Sequence, residues 1–147
     1  MIEFNHVSKW YGEVIAVNDV SFSLGPGVTA LLGSNGAGKS TLMKLVTGQI
    51  RPSSGEVTVF GHTPFANPEV YRRLGYCPEI DAFPEHQTGR AFVNTMARFS
   101  GLGAGEAKRR TEEVLVEVGM AERAGRGLGG YSKGMRQRIK LAQAMLL

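Results

Sequence analysis

Residues 33–41 read Gly33-Ser34-Asn35-Gly36-Ala37-Gly38-Lys39-Ser40-Thr41, which is the G-x-x-x-x-G-K-[ST] spacing of a phosphate grip. Successive backbone N–H groups converge on anionic oxygens only where no side chain obstructs them, and Gly33, Gly36 and Gly38 clear that approach. Lys39 brings a positive charge to the outer phosphates, and the Ser40 hydroxyl is a hard oxygen of the kind Mg²⁺ accepts. A helix beginning at Lys39 would aim its positive end at the same anion. The chemistry these residues support is the holding of a nucleotide by its phosphates.

Such a loop works only between a strand and a helix, and both are legible. Val28-Thr29-Ala30-Leu31-Leu32 is an apolar run that predicts the strand entering the loop, with Gly25-Pro26-Gly27 breaking the chain before it. After the loop, Leu42, Leu45 and Val46 share one helical face, and Gly48 is placed to end the helix. Ahead of the loop, Ile2-Glu3-Phe4 and Val14–Val17 running on through Ser21–Leu24 read as short strands, with Trp10, Tyr11 and Gly12 in the turn between them. Behind it, Arg51–Gly55 is a turn cluster. Glu56–Phe60 alternates as a strand, and Leu74–Cys77 reads as a further short strand stopped by Pro78.

From Thr88 onward helical patterning dominates. Ala107, Thr111, Val114, Leu115 and Val118 recur on one face of a helix that Gly119 ends. Gly125–Gly130 reads as a loop, after which Ser132 N-caps a last helix with Met135, Ile139, Ala142 and Met145 or Leu146 on its apolar side. Lys133, Arg136, Arg138 and Lys140 form a basic partial face, read either as solvation or as part of an anion site at the helix start.

Composition narrows the classes. A chain of 147 residues with 42% hydrophobic content is long enough for a real core, which excludes a disordered tail. The formal charge of +4 is spread along the chain, so a nucleic-acid surface is not expected. Cys77 is the single cysteine, so no internal disulfide forms and a reducing compartment is expected. No apolar stretch reaches the roughly 18 residues that a membrane-spanning helix needs, and no signal-peptide pattern opens the chain. A cytoplasmic protein is expected.

The loop together with Gly129-Gly130-Tyr131-Ser132-Lys133-Gly134-Met135-Arg136-Gln137-Arg138 resembles the ATP-binding subunit of ABC transporters, over all 147 residues. Tyr131, Ser132, Lys133, Gly134 and Met135 stand where that family has its Leu-Ser-Gly-Gly-Gln signature. The variant is similar to the subunits that serve ABC-2 type exporters. The resemblance implies an α/β fold of the P-loop NTPase type: an ABC ATPase core with an N-terminal antiparallel β subdomain and a helical signature subdomain. Residues 1–87 would hold the β subdomain and loop core, and residues 88–147 the helical subdomain.

The same resemblance implies roles. Tyr11 stands where an aromatic side chain stacks on adenine, and Pro52–Glu56 and Val59-Phe60-Gly61 resemble the family's turn and strand after the loop helix. Leu74–Glu79 resembles the approach to the Q-loop, with Glu79 in place of the glutamine that contacts Mg²⁺ and senses the permease. ATP and Mg²⁺ are the implied ligands. A membrane permease and a second ATP-binding subunit, set head to tail, are the implied partners. Ser132 and Gly134 of one copy would meet the γ-phosphate held by Lys39 of the other. The subunit would lie on the cytoplasmic face of the membrane.

The chain stops at Leu147, before the family's Walker B aspartate and catalytic glutamate, so the expectation is the N-terminal part of a longer subunit or a truncated product. ATP binding with little hydrolysis follows. Two other classes stand beside the exporter subunit: a non-catalytic nucleotide-binding or interaction module, and a soluble ABC ATPase outside transport.

Overall fold

The computed structural model of the protein describes residues 1–80 and 82–146. It forms two compact units, residues 1–73 and residues 74–147.

The first unit is built on a hairpin. Strand β1 (Ile2–Tyr11) and strand β2 (Val14–Leu24) pair antiparallel from Ile2↔Leu24 to Tyr11↔Val14, leaving Gly12 and Glu13 as a two-residue turn. Strand β3 (Ser54–Val59) pairs antiparallel with the other edge of β1, giving the order β2-β1-β3. Helix α1 (Lys39–Val46) buries Leu45 against Phe4, Val7 and Val57, with Leu42, Val46 and Phe22 beside them. The Phe4 and Phe22 rings stack at 4.6 Å on paired strand positions. A short helix α2 (Pro68–Tyr71) follows, capped by the Asn67 side chain accepting from the Glu69 N–H. The ladder is bulged where His6 and Asp19 both take positive φ. Short polar side chains satisfy the displaced backbone there: Ser21 Oγ accepts from the His6 N–H at 2.8 Å, and Ser8 Oγ from the Asp19 N–H at 2.9 Å.

Three readings of the sequence are corrected here. Residues 28–32 do not form a strand: Val28 is fully exposed and Leu32 88% exposed, and none of the three strands pairs with them. An apolar run of this kind becomes a strand only with hydrogen-bonded neighbours, and the sheet described offers it none. Residues 74–77 lack strand pairing for the same reason. Trp10 and Tyr11 lie in β1 itself rather than in the turn, because the ladder continues to the last pair before Gly12.

The second unit is helical. Helices α3 (Gly89–Phe99), α4 (Ala104–Glu117) and α5 (Lys133–Ala144) enclose a core in which Val93, Ala97, Val114, Leu115, Leu128, Ile139 and Ala142 are fully buried. Each of the larger of these side chains contributes about 1.5–3 kcal/mol by leaving water. The apolar stripe of α4 is the one expected, and Gly119 ends the helix at φ +66°. Thr88 Oγ1 accepts from the Ala91 N–H at 3.1 Å and caps α3. Arg90 fastens α3 to α4 through Glu112 at 2.7 Å, and it also donates to the Ala121 carbonyl at 2.9 Å. Donating to the Glu112 carboxylate holds the Arg90 guanidinium above its ordinary pKa. Among the described residues, no helix is long and apolar enough to cross a membrane.

Candidate functional site: the phosphate loop and the signature helix

Glycine conformation makes the loop. Gly36 and Gly38 lie at φ +86° and +84°, a region costly for any residue with a Cβ, and the reversals they permit turn the chain from the exposed 28–32 run into α1. Gly38 is also where the loop meets the sheet. A Cβ there would sit 2.4 Å from the Ala16 carbonyl of β2, so only glycine lets the two backbones touch. The Ala37 N–H donates to the Ser34 carbonyl at 3.2 Å and closes the turn.

Lys39 is the first residue of α1, and its ammonium folds back over the loop, donating to the carbonyls of Gly33 and Ser34 at 2.6 Å each. Gly33, Ser34, Asn35, Gly36, Ala37 and Ser40 are exposed, and Thr41 is buried under the helix's first turn. The result is an exposed glycine-rich backbone with the Lys39 cation held on two of its carbonyls. A phosphate group would find its approach clear at the glycine positions and a helix start before it, and Ser40 Oγ would be a hard oxygen of the kind Mg²⁺ accepts.

Tyr11 ends β1. Its strand partner Val14 lies two residues along β2 from Ala16, about 7 Å at the usual rise, so the hairpin tip stands beside the start of the loop helix. The Tyr11 ring is 45% exposed, with Lys9 Nζ 5.5 Å from its centre.

The signature residues divide between core and surface. Tyr131 is 6% exposed, and its hydroxyl donates to the Arg123 carbonyl at 2.9 Å. Burial pushes its pKa above the ordinary tyrosine value. Ser132 Oγ accepts from the Met135 N–H at 3.3 Å, the N-cap the sequence indicates. Ser132, Lys133 and Gly134 are exposed, while Met135 is half-buried against the core. The second unit thus presents a capped helix start with an exposed hydroxyl.

The basic face of α5 is corrected by the structure. Lys133 and Arg138 are exposed, but Lys140 is 3% exposed and donates to the carbonyls of Pro78 and Glu79 at 2.9 and 3.1 Å. Arg136 is paired with Glu85 at 3.1 Å. Sequence reasoning missed both tethers, because their partners lie 51 to 62 residues earlier in the chain. The available signal was that Lys140 adjoins Ile139, at the edge of the apolar stripe.

A loop of this geometry opening a helix, on an α/β framework with a separate helical unit, defines a P-loop nucleotide-binding protein. Residues 17–147 match the model of the ABC transporter family, and the chain belongs to that family. It is 38% identical to the "Uncharacterized ABC transporter ATP-binding protein YxlF" of Bacillus subtilis (strain 168), covering 99% of this chain and 48% of that protein. With the "Linearmycin resistance ATP-binding protein LnrL" of the same organism it shares 34% identity over the same shares of the two chains. A solved ATP-binding subunit of an ABC transporter superposes with a TM-score of 0.83 at 32% identity, covering 99% of this chain and 62% of that one. The chain spans about half the length of the curated relatives it matches.

Proposed function

We propose that this chain is the phosphate-gripping and signature-bearing part of the ATP-binding subunit of an ABC-type exporter. The observation that carries the reading is the loop itself: left-handed Gly36 and Gly38, Lys39 poised over the backbone, and α1 opening at Lys39.

In this reading the loop amides of residues 33–41 and the Lys39 ammonium hold the phosphates of ATP. Ser40 Oγ ligates Mg²⁺, and Tyr11 offers its exposed ring to the base. When bound, Mg²⁺ would neutralise charge on the phosphates. Ser132 and Gly134 of a second copy, at the start of its α5, would face the outer phosphate, so nucleotide would join two subunits head to tail. A separate permease would carry the motion into the membrane. Export is supported by the Tyr-Ser-Lys-Gly-Met form of the signature, and by the word "resistance" in the name of one relative.

Turnover by the 147 residues alone is expected to be slight. The loop and Lys39 grip phosphate, and water activation needs in addition a positioned base or orienting group. Glu79 adds a further feature, since a carboxylate at that position can ligate Mg²⁺ but brings negative charge toward a triphosphate.

The test is binding of a fluorescent ATP analogue with Mg²⁺, measured for the parent chain and for Lys39→Ala, with phosphate release followed on the same samples. Saturable binding lost in Lys39→Ala, without sustained release, is the expected result. Equal binding by both chains would sink the assignment of the loop, and Lys39-dependent turnover would sink the assignment of slight activity.

A further inference from the structure

The segment that carries Glu79 has no regular secondary structure, yet it is fastened to one helix at two points. Lys140 Nζ donates to the Pro78 and Glu79 carbonyls at 2.9 and 3.1 Å. One turn further along the same face of α5, the Ala144 carbonyl lies against Gly75, where a Cβ would come within 1.9 Å of that oxygen. Residues 140 and 144 therefore form a strip on which residues 75–79 are laid. The end of that strip is anchored in turn, because Arg110 of α4 donates to the Met145 carbonyl at 2.5 Å.

The energetics favour a rigid tether. Lys140 is 3% exposed, so its ammonium is satisfied within the protein, and the Pro78 and Glu79 carbonyls are two of the acceptors that satisfy it. A charged donor shared by two adjacent carbonyls also fixes the direction of the peptide between them. The alternative of a solvated lysine on a basic face fails on burial alone.

From this we infer that Lys140 is a positioning residue that makes the Glu79 segment part of the signature-helix body, so that any displacement of α5 carries residue 79 with it. The functional weight of this inference rests on the reading given above, in which Glu79 occupies the nucleotide-sensing and permease-sensing position. The tether itself rests on the contacts alone.

Cys77, exposed and the only cysteine of the chain, lies within the tethered segment and gives a direct probe. A nitroxide on Cys77 and a second on Gln137→Cys, an exposed site on α5, report the spread of distances between segment and helix. The expected result is a narrow distribution in the parent, a broadened one with a more mobile Cys77 signal in Lys140→Met, and a narrow one again in Lys140→Arg, which keeps donors. An unchanged distribution in Lys140→Met would overturn the inference. Should Lys140→Met fail to fold, the parent decides: ¹⁵N-lysine spectra must show a solvent-protected Lys140 ammonium, and a freely exchanging one would overturn the tether. Titrating the same labelled samples with the fluorescent ATP analogue separates the two readings, because loss of Lys39-dependent binding would remove the proposed function and leave the distances untouched.

Discussion

The phosphate loop and the signature turn hold their functional residues in opposite ways. The loop is nearly all surface: its shape comes from the left-handed geometry of Gly36 and Gly38 and from two contacts of Lys39, with Gly38 alone pressed against the sheet. The signature is the rim of a packed core, in which Tyr131 is buried and α5 sits on fully buried Ile139 and Ala142. A ligand that must be surrounded by backbone needs a site with little side-chain mass, whereas a hydroxyl presented to another surface needs a rigid base. Substitutions should therefore cost binding in the first unit and stability in the second.

The largest effect is expected from Tyr131→Ala, which empties a core position and should destabilise the second unit by about 3–5 kcal/mol. Hydrogen exchange resolved by peptide would show the loss in α3–α5 and little change in β1–β3. Comparable loosening of both units would break the contrast.

Gly38→Ala should cost less stability, on the order of 2 kcal/mol from left-handed strain and the contact with the Ala16 carbonyl, but it should abolish binding of the ATP analogue. The single tryptophan, Trp10 in β1, makes unfolding of the first unit visible by fluorescence. Retained binding would mean that the loop does not need its close approach to β2.

Ser132→Ala removes an N-cap and should cost about 1 kcal/mol in the second unit while leaving nucleotide binding by a single chain unchanged. Binding lost in that variant would show that the two regions are less separate than proposed. Lys39→Ala is the mirror case, with stability expected to stay within about 0.5 kcal/mol and binding lost.

The smallest effect is set by pH. Burial raises the Tyr131 pKa above its unfolded value, so the folded chain keeps a proton that the unfolded chain gives up. Its contribution is complete below the ordinary tyrosine value near 10 and declines as pH rises from there through the folded value. Denaturant titrations of the parent should fall off more steeply above about pH 10 than those of Tyr131→Phe. Equal slopes would place the titrating group elsewhere.

Glycine spacing around Lys39, the apolar face of α1, the stripe of α4 and the cap at Ser132 are local properties, decided by residues within a few positions of one another, and the structure reproduces them. The run 28–32 departs from the strand its composition describes, because that composition says nothing about whether neighbouring strands are present. Aromatic residues before a glycine fit either a turn or a strand end, and for Trp10 and Tyr11 the register with Ile15 and Val14 decides it.

Sequence alone therefore determined the phosphate loop, the helix that follows it and the signature cap, because backbone conformation and capping are settled over a turn or two of chain. Tertiary structure decided the rest. It alone showed that Tyr131 is core and Ser132 surface, that Tyr11 ends β1 half exposed with Lys9 over its ring, and that Lys140 is a buried tether rather than a solvated charge. The physical reason is common to all three: burial and hydrogen-bond partnership depend on segments remote in the chain, and a charge or an aromatic ring carries no record of which of them will cover it.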